Sequence, residues 1–97
     1  MAINTIRNKY RDNGGVMRTL IFCPIIVLRN WKKELMLSTQ LPENVISVVD
    51  GSTAAKRLKQ IHNPDNLIII INYEAMRTKG IFKALLDWMP DIVVCDE

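Results

Sequence analysis

Four apolar residues, Ile92-Val93-Val94-Cys95, run directly into two acids, Asp96-Glu97. This is the Walker B form. A strand delivers the first acid to a magnesium ion, usually through its water shell, and the second polarises the water that attacks a terminal phosphate. A buried strand can also end in acidic loop residues for no catalytic reason, so the pair needs partners. The usual partner, G-x-x-x-x-G-K-[ST], does not occur in the sequence. Gly14-Gly15 is followed by Val16 and Met17, with no lysine, and reads as a loop.

Other candidate chemistry is sparser. Cys23 and Cys95 each close an apolar run, with no C-x-x-C and no Cys/His cluster. Both read as buried free thiols, and a zinc site is not expected. His62 is the single histidine, has no visible nucleophile beside it, and reads as a helix-end residue. The basic residues fall in groups: Arg7, Lys9 and Arg11; Arg29, Lys32 and Lys33; Lys56, Arg57 and Lys59; Arg77, Lys79 and Lys83. Taken one at a time, each group reads as a solvated helix face.

The elements that must position these residues alternate along the chain. Ile3, Ile6 and Tyr10 have helical spacing over residues 3–11, and Asn13-Gly14-Gly15 breaks that helix. Thr19 to Cys23 is an apolar run ending at Pro24, which suits a buried strand. Val27, Leu28, Trp31 and Leu35 then form a helical stripe that fades near Ser38-Thr39. Trp31, Tyr73 and Trp88 read first as packing residues. Val45 to Val49 is a second strand, closed by Asp50-Gly51. Ser52 or Thr53 caps a helix to about His62, with Ala54, Leu58 and Ile61 inward. Asn63-Pro64-Asp65-Asn66 is a turn, and Leu67 to Ile71 is the clearest strand. Tyr73 to Arg77 reads as a helical turn. Ile81, Phe82, Leu85, Leu86 and Met89 form an amphipathic helix ended by Pro90, and Ile92 to Cys95 is the last strand.

Strands alternating with helices predict an α/β three-layer sandwich, a four-stranded parallel sheet with helices on both faces. In such a sheet ligands bind beyond the carboxyl ends of the strands. Cys23-Pro24, Asp50-Gly51, Asn72-Tyr73-Glu74 and Asp96-Glu97 should therefore share one edge. At 97 residues the chain holds at most one small domain. A hydrophobic share of 48% and a charged share of 24% exclude disorder and low complexity. No apolar run approaches the ~20 residues of a membrane span, and MAINTIRNKY has no secretory h-region. A soluble intracellular domain is expected. The net charge of +3 permits a polyanionic partner without demanding one.

Four segments in order carry a resemblance. The string from Thr19 to Leu35, with Pro24, Trp31 and Glu34, resembles motif Ia of the Swi/Snf-type helicase-like ATPases of helicase superfamily two. Val45 to Gly51 resembles that family's next strand, LIIIINYEAMR resembles motif Ib, and DIVVCDE resembles the start of the DEAH-type motif II. Asn72 stands where the family usually has threonine. The resemblance covers nearly the whole chain.

The resemblance implies a partial RecA-like first lobe, from just after the P-loop to the start of motif II. Residues 2–12 then correspond to the tail of the P-loop helix. It implies a parent motor that binds ATP and Mg2+ and tracks the backbone of nucleic acid, in this family duplex DNA, without reading sequence. Asp96 would handle magnesium through water, and Glu97 would be the catalytic base. Amides after Pro24, with Arg29, Lys32, Asn72, Tyr73 and Arg77, would contact phosphates. These 97 residues alone are expected to be inactive, with no cofactor bound tightly. The implied sheet order is 91–95, 19–23, 67–71, 45–49, which leaves the 91–95 edge open to self-association. Two other readings explain the alternation but not the motif order. One is a non-catalytic α/β module binding nucleic acid or a protein partner, and the other is a small phosphotransfer or nucleotide-binding enzyme.

Overall fold

The computed structural model describes residues 18–39, 41–78 and 80–96. The helix expected over 3–11, the Asn13-Gly14-Gly15 break and Glu97 lie outside the described residues. Strand β1 (Thr19–Cys23) leads through a 3-10 turn (Ile25–Val27) into α1 (Leu28–Thr39). A second 3-10 turn (Glu43–Val45) opens β2 (Ile46–Val49), followed by α2 (Ala54–Ile61), β3 (Ile68–Asn72), α3 (Tyr73–Met76), α4 (Ile81–Asp87) and β4 (Ile92–Cys95).

The four strands form one sheet in the order β2-β3-β1-β4. Every pairing is parallel, with Thr19 opposite Ile68 and Ile92, and Ile46 opposite Ile68. This is the expected order of the four runs. β1 and β3 sit in the centre and are buried at every residue. Their uninterrupted apolar sequences follow from that position, since a central parallel strand has helices over both faces.

Alternate residues of the strands feed two cores. Ile21, Cys23, Ile46, Ile68 and Ile70 pack against Leu28, Trp31 and Leu35 of α1. Leu20, Phe22, Val49, Ile69 and Ile71 face the other way, against Ile61 of α2, Ala75 of α3 and Ile81, Ala84 and Leu85 of α4. Thr53 caps α2, its side chain accepting from the Lys56 amide at 3.2 Å. The buried Asn66 amide ties the turn after α2 to the sheet. It donates to the carbonyls of Gln60 (2.9 Å) and Ile61 (3.0 Å) and accepts from the Ser47 hydroxyl. Among the described residues no helix is long and apolar enough to cross a membrane.

Three expectations need correction. Ala54 is exposed, because it is the first residue of α2 and lies beyond the sheet's cover. In α4 the inward stripe is Ile81, Ala84 and Leu85, with Trp88 packed beside it, while Phe82, Leu86 and Met89 stand exposed. Arg18 closes the end of this face. Its guanidinium donates to the Trp88 carbonyl at 2.6 Å and lies 5.9 Å from the indole centroid. Cys95 is exposed, not buried. β4 is an edge strand, and Val93 and Cys95, in register with Leu20 and Phe22, project on a face that no described helix covers there.

Candidate functional site at the carboxyl ends of the strands

Parallel pairing puts Pro24, Asp50, Asn72 and Asp96 at one edge of the sheet, as the alternation demands. Asp96 is held there by three hydrogen bonds of 2.8 Å each. Its backbone N–H donates to the Phe22 carbonyl and extends the β1–β4 ladder. Its Oδ2 accepts from the Trp31 indole Nε1–H. Its carbonyl accepts from the Tyr73 hydroxyl. Trp31 is fully buried in the α1 core, so its packing role holds. A buried indole N–H still needs an acceptor, and the neighbouring strand supplies it in the first acid of the motif. The Tyr73 ring stacks on Phe22, with centroids 6.1 Å apart, and its hydroxyl is thereby aimed at Asp96.

This clamp was not foreseen from the sequence, although its ingredients were present. A tryptophan on the helix after one central strand and an acid at the end of the adjacent strand are neighbours only once the strand order is known. The carboxylate also acts on Cys23. Burial first, and the Asp96 charge second, push that thiol up from 9.0 to about 11. At neutral pH Cys23 is a protonated, buried thiol and no nucleophile.

Asp96 keeps one carboxylate oxygen unengaged at this edge. Oδ2 is engaged by Trp31, and Oδ1 has no partner among the described residues. No group of three or more His, Cys, Asp or Glu side chains that could hold a metal occurs among the described residues. A magnesium ion at Asp96 would therefore take its other ligands from water and phosphate, which is the ion's ordinary habit.

The expected phosphate contacts separate. Arg29 and Asn72 line one cleft of about 550 Å3 at the carboxyl edge, with Ile25, Ile26, Asp50, Arg57 and Glu74. Arg29 is already paired with Asp50 at 2.6 Å. Lys32 does not line that cleft; it shares a second groove, beside β2, with Arg29 and is paired with Glu43 at 3.2 Å. Tyr73 is turned inward to Asp96. Pro24 is half-buried at the end of β1, and Arg77 is exposed just after α3. One cation of the cleft was not singled out from the sequence. Arg57 donates to the Gly51 carbonyl (2.9 Å) and the Thr78 hydroxyl (3.0 Å), tying α2 to both neighbouring loops.

Comparison with known proteins finds no matching family, no matching curated protein and no matching solved structure.

Proposed function

We propose that this chain is part of the first lobe of an ATP-driven motor that moves along duplex DNA. The observation that supports the reading most is the clamp on Asp96. The two segments resembling motifs Ia and Ib each reach the first acid of the segment resembling motif II, through Trp31 and Tyr73. In a motor, the acid that answers to nucleotide must be mechanically tied to the elements that hold nucleic acid, and here those ties are short and direct.

In this reading Asp96 holds magnesium through water, Glu97 takes a proton from the attacking water, and the exposed cations Arg29 and Arg77, with Lys32, bind backbone phosphates. Bound Mg2+-ATP supplies the phosphoryl group and its charge neutralisation. Arg29 and Lys32 each have a carboxylate partner in the free chain, so a phosphate must displace Asp50 or Glu43 to engage them. In each pair one partner is largely exposed, Arg29 at 84% and Glu43 at 70%, so the exchange happens at the solvent boundary.

Three measurements test the reading. The gene on either side of this segment is expected to encode G-K-[ST] upstream and A-H or A-Q downstream, and the lack of both overturns the motor. Duplex DNA is expected to bind with an affinity that falls steeply with salt. Replacing Arg29, Lys32 and Arg77 with alanine should then flatten the salt dependence by about one unit of slope per lost phosphate contact. Binding unchanged by those substitutions would exclude these residues as the phosphate contacts. ATP turnover by the purified 97 residues would contradict the account, because the sequence contains no G-x-x-x-x-G-K-[ST] motif.

A further inference from the structure

The Asn72 side chain is an anomaly. The residue is only 7% exposed. Its amide makes no hydrogen bond among the described residues and does not cap α3, although Asn72 occupies the N-cap position. No sealed, unpartnered side-chain polar atom occurs among the described residues, so the amide keeps its small exposure, and it keeps it in the cleft it lines. An amide so little exposed and without a protein partner is satisfied only from the cleft, by water or by a ligand that displaces it.

The surroundings decide what that ligand is. The cleft carries two cations, Arg29 and Arg57, and two anions, Asp50 and Glu74, so its charge balances. Arg29 is neutralised by Asp50, and Arg57 is spent on Gly51 and Thr78. Among the described residues, the cleft beside Asn72 therefore offers no unpaired cation in the free chain, and Arg29 turns to a phosphate only once it leaves Asp50. Beside Asn72 stand Ile25 and Ile26, which are 69% and 88% exposed at the 3-10 turn after Pro24. Exposed isoleucines against a single unpartnered donor–acceptor group suit a flat, neutral, polar-edged ring. The volume of about 550 Å3 is ample for one.

We propose that this cleft binds a nucleobase, with the Asn72 amide reading its edge and Ile25 and Ile26 covering its face. Adenine fits the amide best. Nδ2–H donates to N7 and Oδ1 accepts from the N6 amine, the bidentate pairing that asparagine makes with that base. The site stands without the motor reading, since it concerns a neutral base and not ATP turnover or backbone phosphate.

The test is titration of the isotopically labelled chain with adenosine, which has a base and no phosphate, followed by NMR of the Asn72 side-chain amide and the isoleucine methyls. Millimolar adenosine is expected to shift the Asn72 amide pair and the Ile25 and Ile26 methyls together. Asn72→Ala should weaken binding about tenfold or more, through loss of a bidentate base contact. Asn72→Asp, which keeps the size and suits an N-cap, should also lose binding, because the donor to N7 is gone. An unchanged backbone spectrum elsewhere would show that either variant still folds. A single-stranded oligo(dA) shifting the same signals would show that the site also takes a base from a strand. No response to adenosine overturns the proposal. So does an equal response of these signals to inorganic phosphate, which would make the cleft an anion site.

Discussion

Trp31 serves two ends at once, and the two can be separated by substitution. Its ring fills the core under α1, and its N–H holds the Asp96 carboxylate at 2.8 Å. Trp31→Phe keeps most of the ring and removes the donor. A hydrogen bond to a charged acceptor is worth about 1.5–3 kcal/mol, and the half-exposed Asp96 should give the lower end of that range. We expect a loss of about 1.5 kcal/mol in urea unfolding, and a smaller loss when Asp96 is already asparagine. Equal losses in both backgrounds would mean that the indole contributes through packing alone. The two cysteines differ in the same local way. Cys95 is exposed and should alkylate readily in the folded chain, while buried Cys23 should react only on unfolding. The raised Cys23 thiol also makes stability fall at alkaline pH. Between the ordinary value of 9.0 and about 11 the unfolded chain has lost this proton while the folded chain keeps it. Its contribution is therefore intact below 9.0 and disappears as pH rises through about 11. Cys23→Ala should shrink the loss of urea midpoint seen on going from neutral pH into that window.

Elements are fixed partly by apolar pattern and partly by single backbone positions, and the two kinds of information differ in how well a sequence displays them. Residues 67–71 announced a central strand because five apolar residues in a row leave no solvent face. The observed strand is displaced by one residue, to Ile68–Asn72, so Asn72 is its last member and not the loop residue after it. The observed order of the four strands agrees with the one that the resemblance of the four segments implied. The face of α4 was not legible in the sequence, because Ile81-Phe82 and Leu85-Leu86 offer two adjacent stripes, and only the assembled core with Leu20, Ile61 and Ile69 shows that Ile81, Ala84 and Leu85 are the buried one. The Asp96 clamp and the Arg57 ties were hidden for a related reason: they join residues that become neighbours only across the assembled sheet edge. Gly51 shows how tight that edge is. A Cβ there would lie 2.7 Å from the Lys56 Cβ and 3.0 Å from the Arg57 amide. Gly51→Ala must push the loop off the start of α2 and should cost about 1–3 kcal/mol in thermal or urea unfolding. Met89 presents the opposite case. It holds a φ of 57° without being glycine and is 71% exposed, so its side chain contributes little to offset the strain. Met89→Asn, which tolerates the left-handed region, should stabilise by about 0.5–1 kcal/mol. A destabilised Met89→Asn would mean that the methionine packs against something after all.

At the scale of the molecule, the described residues cover the faces of the sheet in its centre and leave the outer edge of β4 unpaired. Ile92 and Asp96 direct their N–H groups toward β1, at the carbonyls of Arg18 and Phe22. By the alternation of a strand, Val93 and Cys95 direct theirs away from it. Val93 is 55% exposed, and no proline or bulge interrupts 92–95, so the edge has the features that invite another strand. What restrains it is charge. Asp91 and Asp96 flank the strand, and two copies pairing antiparallel would bring acids together at both ends. Self-association through this edge should therefore be weak at low ionic strength and grow with salt, as screening shortens the repulsion to a few ångströms. Sedimentation velocity across a salt series would display that trend. Val93→Lys should abolish it, since it places a charge on the exposed strand itself. A chain that stays monomeric at every salt concentration, with slowly exchanging amides at Val93 and Cys95, would show instead that the edge is already covered within one molecule.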